Sequence, residues 1–187
     1  MLAIQQRVEP KTASPVRRRA LPRFLRSWYE SRPVQFCHEQ LCVTLDDDQA
    51  AIIESVRDNK RTSARSGHGV GKTKTTSCVI CHWNYCKEPN IILATGPTKA
   101  QLFDNLWREV ALTIASARVS LQQDWVWLAT GLYVIGHKHD QVAQARTSNN
   151  PQALAGRHGK NILLVLEEAS EIAEETFLPA ASIMTEE

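Results

Sequence analysis

The run Ser66-Gly67-His68-Gly69-Val70-Gly71-Lys72-Thr73 constrains this chain more than any other stretch. Its alternating glycines let the backbone curl with several N–H groups turned inward, and a helix starting at Lys72 would add its positive N-terminal end. A turn of this kind that closes on Gly-Lys-Thr is built to hold phosphate. The Lys72 ammonium would reach the β- and γ-phosphates of a nucleotide, and the Thr73 hydroxyl would face Mg²⁺. Ser66 stands where the pattern ordinarily opens with Gly or Ala, and it is small enough to keep the turn. All residues from Ser66 to Thr73 are therefore candidate nucleotide contacts, against the plainer reading of a glycine-rich surface turn.

The flanks supply the order such a loop requires. Arg61-Thr62-Ser63-Ala64-Arg65 precedes it as a short, rather polar strand, and Lys72 to Tyr85, with Val79, Ile80 and Trp83 on one face, follows as a helix. Further on, Asn161-Ile162-Leu163-Leu164-Val165-Leu166 reads as a buried strand that runs into Glu167-Glu168. At the end of such a strand one carboxylate can enter the Mg²⁺ shell and a second can polarise an attacking water. Glu167 is the candidate metal residue with Thr73, and Glu168 the candidate catalytic carboxylate with Lys72. Asp is the commoner residue at the first of these places, so Glu167 departs from the usual pattern by one methylene. The competing reading of the pair is the solvated acidic start of a helix over 169 to 175.

Between these motifs Ile91-Ile92-Leu93-Ala94-Thr95-Gly96-Pro97-Thr98 gives strand and turn, and an amphipathic stretch through Gln101, Leu106, Trp107, Val110 and Ile114 gives another helix. Taken with Leu45 to Gln49 ahead of a helix, and with Ala153-Leu154-Ala155-Gly156 before the strand ending in Glu167-Glu168-Ala169-Ser170, the set resembles the large subunit of tailed-phage terminases over roughly residues 34 to 180. That resemblance implies an ATP-dependent, Mg²⁺-dependent motor that moves double-stranded DNA into a procapsid. It implies as partners a terminase small subunit, a portal and further copies of the chain in a ring. It implies that Gln49 reads adenine, although Asp48 occupies the place where an aromatic often stacks on the base. Arg65 and His68 fall where a γ-phosphate sensor sits in relatives. Arg146 and Arg157 are candidates for an arginine finger acting on a neighbouring subunit, with a solvated surface arginine as the competing reading for each. Thr95 and Thr98 would lie near the ligand-bearing edge of the sheet, or serve simply as turn formers. A helicase-like DNA-stimulated ATPase and a nucleotide-binding module without turnover are the alternative functions.

At 187 residues and 43% hydrophobic, the chain can bury one core. A net charge of +2 conceals an asymmetry: Arg7, Lys11, Arg17, Arg18, Arg19, Arg23, Arg26 and Arg32 crowd the first 32 residues, while only acidic residues carry charge after Lys160. Residues 1 to 32 are expected to form a basic arm, disordered up to about Leu21 and then a short amphipathic helix to Tyr29, able to meet phosphates or an acidic partner. Residues 33 to 187 are expected to form an ATPase domain incomplete at its C-terminal side, with no nuclease domain.

There is no membrane-spanning run and no secretory signal, so the expected location is the cytoplasm of an infected or lysogenic bacterium, with five reduced cysteines. Cys78-Val79-Ile80-Cys81-His82 spells a c-type haem attachment motif, and Cys86 could extend it to a metal cluster, but its place on the helix after the loop favours small buried hydrophobes. His137, His139, Arg157 and His158 show no ligand spacing and are expected in loops.

The expected fold is α/β, a P-loop NTPase of the ASCE type, with a mostly parallel sheet, flanking helices and an end soon after the Walker B strand. Strands are expected near 62 to 66, 91 to 95 and 162 to 166, helices near 49 to 58, 72 to 85 and 99 to 117. A hairpin over 125 to 136 turns at Ala129-Thr130-Gly131.

Overall fold

The computed structural model describes residues 20–65, 67, 69–147 and 160–172. Helices α1 (Arg23–Glu30), α2 (Pro33–Glu39) and α3 (Asp47–Asp58) come first, then α4 (Lys72–Cys86) and β1 (Asn90–Thr95). A π-helical segment (Gln101–Trp107) runs into α5 (Arg108–Ser116) and α6 (Val119–Gln122). Strands β2 (Trp125–Leu128), β3 (Gly131–Val134), β4 (Gln141–Ala145) and β5 (Ile162–Leu166) follow, and a 3₁₀ turn (Ala169–Glu171) ends the described chain.

The strands form one sheet in the order β2-β3-β4-β1-β5. β1 lies parallel between β4 and β5, with Ile92 opposite Ala143 and Leu163, while β3 is antiparallel to both its neighbours. Four strands thus share one direction, and the expected hairpin forms the β2 edge. The expectation of an α/β fold with a mostly parallel sheet holds.

Alternation sorts the strand residues onto two faces. Ile92, Ala94, Leu132, Val134, Ala143, Ala145 and Val165 join the main core with α4, whereas Ile91, Val126, Tyr133, Ile135 and Val142 gather in a second, smaller cluster. Helix α4 packs against α1, α2, α3, α5 and the sheet, so it is buried on nearly every side. A helix so enclosed needs small and apolar residues all round rather than a single stripe. That is why Cys78, Cys81 and Cys86 lie within the core, where burial pushes the Cys81 and Cys86 thiols up. All five cysteines are free.

Several polar groups of α4 are answered by neighbouring elements, whereas the buried Trp83 indole N–H has no partner among the described residues. Ser77 Oγ meets Thr113 Oγ1 at 2.6 Å. The last carbonyls of the helix, which have no intrahelical donor, are taken by side chains from the sheet: Asn90 Nδ2 donates to Asn84 O and Lys87 O at 2.9 and 2.6 Å, and Gln141 Nε2 donates to Lys87 O at 2.9 Å. The amide side chains at the start of β1 and β4 therefore fix the far end of the same helix whose near end forms the loop.

Two expectations need correction. Arg61 to Arg65 forms no strand: all but half-buried Thr62 are exposed, and neither sheet edge pairs with them. These polar side chains offer no apolar face to bury, and Thr62 instead hydrogen-bonds Ser55 on α3 at 3.0 Å. The helix expected over 99 to 117 is a π-helical segment followed by α5. The amphipathic helix near the N-terminus forms as α1, and α1 packs against α4. Among the described residues no helix is long and apolar enough to cross a membrane.

His82 carries a pH prediction. Its ring is 5% exposed, packs edge-on to Phe36, and its Nε2 lies 2.9 Å from Tyr29 O, so the neutral ring donates there. Burial pushes its pKa down from 6.5 to about 4. Because the folded value is depressed, the unfolded chain binds the proton more readily between these values, and stability present above pH 6.5 is lost as pH falls toward 4. The expected loss is about 3 kcal/mol. Urea unfolding midpoints should drop over this window in the parent chain, and the drop should be clearly shallower in His82→Gln.

Candidate nucleotide site

The described part of the glycine loop runs into the start of α4, whose first turn meets the residue just beyond β5. Gly69 and Gly71 both have φ near +80°, the left-handed region open to glycine. Gly71 is also the N-cap of α4, and no side chain caps the helix there. A helix start capped by glycine rather than by a side chain is one that can present its N–H groups to an anion. A β-carbon on Gly71 would come within 2.5 Å of Gln49 Nε2, the movable end of a side chain, so it is the left-handed backbone angle that favours glycine here.

Two side chains close the site. Lys72 Nζ donates to Gly67 O at 2.9 Å, so the ammonium is folded over the loop it would share with phosphate. Thr73 Oγ1 donates to Glu167 Oε1 at 2.8 Å. These partners are 94 positions apart, and their contact joins the first turn of α4 to the residue just beyond β5. Glu167 is buried, and its backbone N–H is fixed by Thr95 O at 2.9 Å at the end of β1. A hydroxyl beside a carboxylate is an all-oxygen donor set of the kind Mg²⁺ takes.

Glu168 follows in the left-handed region, φ 48°, one of only two non-glycine residues there among those described. The conformation is costly for a residue with a β-carbon and persists only where neighbours hold it. Here the turn is closed by Glu171 N donating to Glu168 O at 2.9 Å.

Gln49 reaches the loop by a route its sequence position partly announces. Asp46 caps α3 by accepting from Gln49 N at 2.8 Å, and Gln49 Oε1 accepts from Asp46 N at 3.3 Å, a reciprocal capping box. The remaining end of the amide, Nε2, donates to Val70 O at 3.2 Å. Both ends of the amide are engaged, one with the helix start and one with the loop.

The other candidates are distributed more widely. Ser66, His68 and Arg157 lie outside the described residues. Arg65 is exposed. Arg146 uses Nε and Nη2 on Gln144 Oε1 at 3.3 and 3.2 Å. Thr95 is fully buried, with no partner for its hydroxyl among the described residues, while Thr98 accepts from Gln101 N at 3.1 Å as a turn residue does. Of the histidine cluster, His137 lies near Glu88 and Asp140, all three offering ligand atoms within 4.8 Å of one another. Arg26 already pairs with Glu88 at 2.5 Å, which makes this group a surface ion-pair cluster. Glu171, whose carboxylate accepts from Gln101 Nε2 at 3.0 Å, carries no signal in the sequence, because no spacing rule joins residues 70 positions apart.

The fold and the site together define an α/β chain whose glycine loop and acidic strand end converge at one edge of the sheet. Over 145 residues the chain is 28% identical to the protein described as "Probable terminase, large subunit" from Enterobacteria phage P7. The match takes in 73% of this chain and 29% of that protein, so the chain spans less than a third of the relative's length. No family model matches the sequence.

Proposed function

We propose that this chain is the ATP-binding and ATP-hydrolysing portion of a phage terminase large subunit, and that it powers movement of double-stranded DNA into a procapsid. The observation that carries the reading is the Thr73–Glu167 hydrogen bond at 2.8 Å, which joins the glycine loop to the acidic strand end through the two side chains assigned to one metal ion. The similarity to the phage P7 protein supports the choice of family.

In this reading the loop amides from Gly67 to Thr73 receive the phosphates, and Lys72 exchanges the Gly67 carbonyl for β- and γ-phosphate oxygens. Thr73 and Glu167 hold Mg²⁺, which supplies positive charge to the phosphate oxygens. Glu168 orients a water and takes its proton. Gln49 turns its amide from Val70 O to the base, coupling occupancy of the loop to the start of α3. The terminase small subunit, the portal and neighbouring copies in a ring belong to the same proposal, as does action in the cytoplasm of the bacterial host.

The test is phosphate release from Mg-ATP by the purified chain, measured with and without linear double-stranded DNA. Release that DNA stimulates is the expected result. Nucleotide binding with no release, even with DNA and partner proteins added, would leave a binding module in place of a motor. Strand displacement on a forked duplex would favour a helicase-like ATPase instead.

A further inference from the structure

The turn that holds Glu168 is tied to a distant part of the chain by one side chain. Gln101 Nε2 donates to Glu171 Oε2 at 3.0 Å, while Gln101 Oε1 accepts from Thr98 Oγ1 at 2.8 Å. Because the hydroxyl of Thr98 occupies the oxygen end of the amide, the nitrogen end is directed at Glu171. Among the described residues Gln101 is the side chain that bonds the Glu171 carboxylate.

Two further features make the contact more than a surface bond. Gln101 opens the π-helical segment, and Leu102, Leu106 and Trp107 within that segment are buried, so the amide stands on an anchored base. Seven residues of π-helix are unusual, and π-helical turns concentrate where function requires a side chain to be re-aimed. On the other side, Glu171 N closes the turn on Glu168 O, so whatever fixes Glu171 also restrains the left-handed backbone of Glu168. Glu168 alone has no such support: its φ is unfavourable for a residue with a β-carbon.

We propose that Gln101 is a positioning residue that acts through Glu171 to hold the Glu168 carboxylate in line for its water. Its catalytic consequence rests on the ATP-hydrolysis reading above, whereas the structural link does not. Exchanging the partners isolates the link. Gln101→Glu sets two carboxylates against each other; Gln101→Glu with Glu171→Gln restores an amide–carboxylate pair with the roles reversed, since a carboxylate at position 101 still accepts from Thr98.

The first readout is the backbone amide NMR spectrum of the nucleotide-free chain. Signals of Glu168 and Glu171 should shift and broaden in Gln101→Glu and return toward their original positions in the double variant. The second is steady-state phosphate release, where Gln101→Glu should lower kcat about 10-fold with KM nearly unchanged, and the double variant should recover most of the loss. Undisturbed Glu168 signals in Gln101→Glu, or no recovery in the double variant, overturns the proposal. Absence of turnover in the parent chain counts against the hydrolysis reading, and the NMR comparison still decides the link.

Discussion

Alanine at position 72 is expected to weaken Mg-ATP binding about 100-fold, the result of losing roughly two charge-assisted hydrogen bonds to phosphate at about 1.5 kcal/mol each. The fold should tolerate the change. Lys72 is the first residue of α4, where alanine suits a helix, and the side chain is half-buried against a loop carbonyl. Loss of the Gly67 contact would cost no more than about 1 kcal/mol of stability. Lys72→Arg should also bind poorly, because a planar fork does not replace a compact ammonium that must turn from a carbonyl to phosphate within one small loop. Titration with a fluorescent ATP analogue, beside a thermal melt, separates affinity from folding. Undiminished affinity in Lys72→Ala would mean that the loop is not a phosphate cradle, whatever its glycines allow.

The parts of the site that depend on chain-local chemistry were legible in the sequence. Gly69 and Gly71 adopt a positive φ within the loop that the glycines were expected to curl, and the aliphatic run from Ile162 to Leu166 forms the strand that delivers Glu167. The meeting of Thr73 with Glu167 could be expected from motif order, but only the parallel pairing of β1 with β5 brings β5 into the sheet beside β1. Motif order without supporting composition misleads: Arg61 to Arg65 stands where a strand normally precedes a loop of this type, yet it offers no apolar face and forms none. β4 escaped notice for the opposite reason. Gln141-Val142-Ala143-Gln144-Ala145 has two amides and two alanines, and it is a strand because β1 and β3 pair with it and because Gln141 serves the carbonyls at the end of α4. A better signal existed for α2, since Arg32-Pro33 places proline at the first helical position, where its missing N–H costs nothing. The π-helix had none: its hydrophobic spacing fits an ordinary helix.

Replacing Glu168 with glutamine is the variant with the second large effect, and it separates binding from chemistry. The substitution keeps shape and hydrogen-bonding capacity but removes the negative charge and the ability to accept a proton from water. A positioned general base is worth about 10²- to 10⁴-fold in rate, so turnover should fall by at least about 100-fold while nucleotide affinity changes little. Glu167→Gln should behave differently. Glu167 bonds Thr73 directly, so weakening that carboxylate should first be felt as a raised Mg²⁺ requirement. The two neighbours thus predict distinct signatures from adjacent positions: one in kcat at saturating Mg²⁺, the other in the metal concentration needed to reach it. Magnesium titrations of phosphate release on both variants provide the comparison. If Glu168→Gln turned over at the parental rate while Glu167→Gln did not, the base would have to be sought elsewhere, and the left-handed backbone at Glu168 would be a feature of the turn alone. If instead both variants failed in the same way at every Mg²⁺ concentration, the division of labour drawn from the Thr73 contact would not stand.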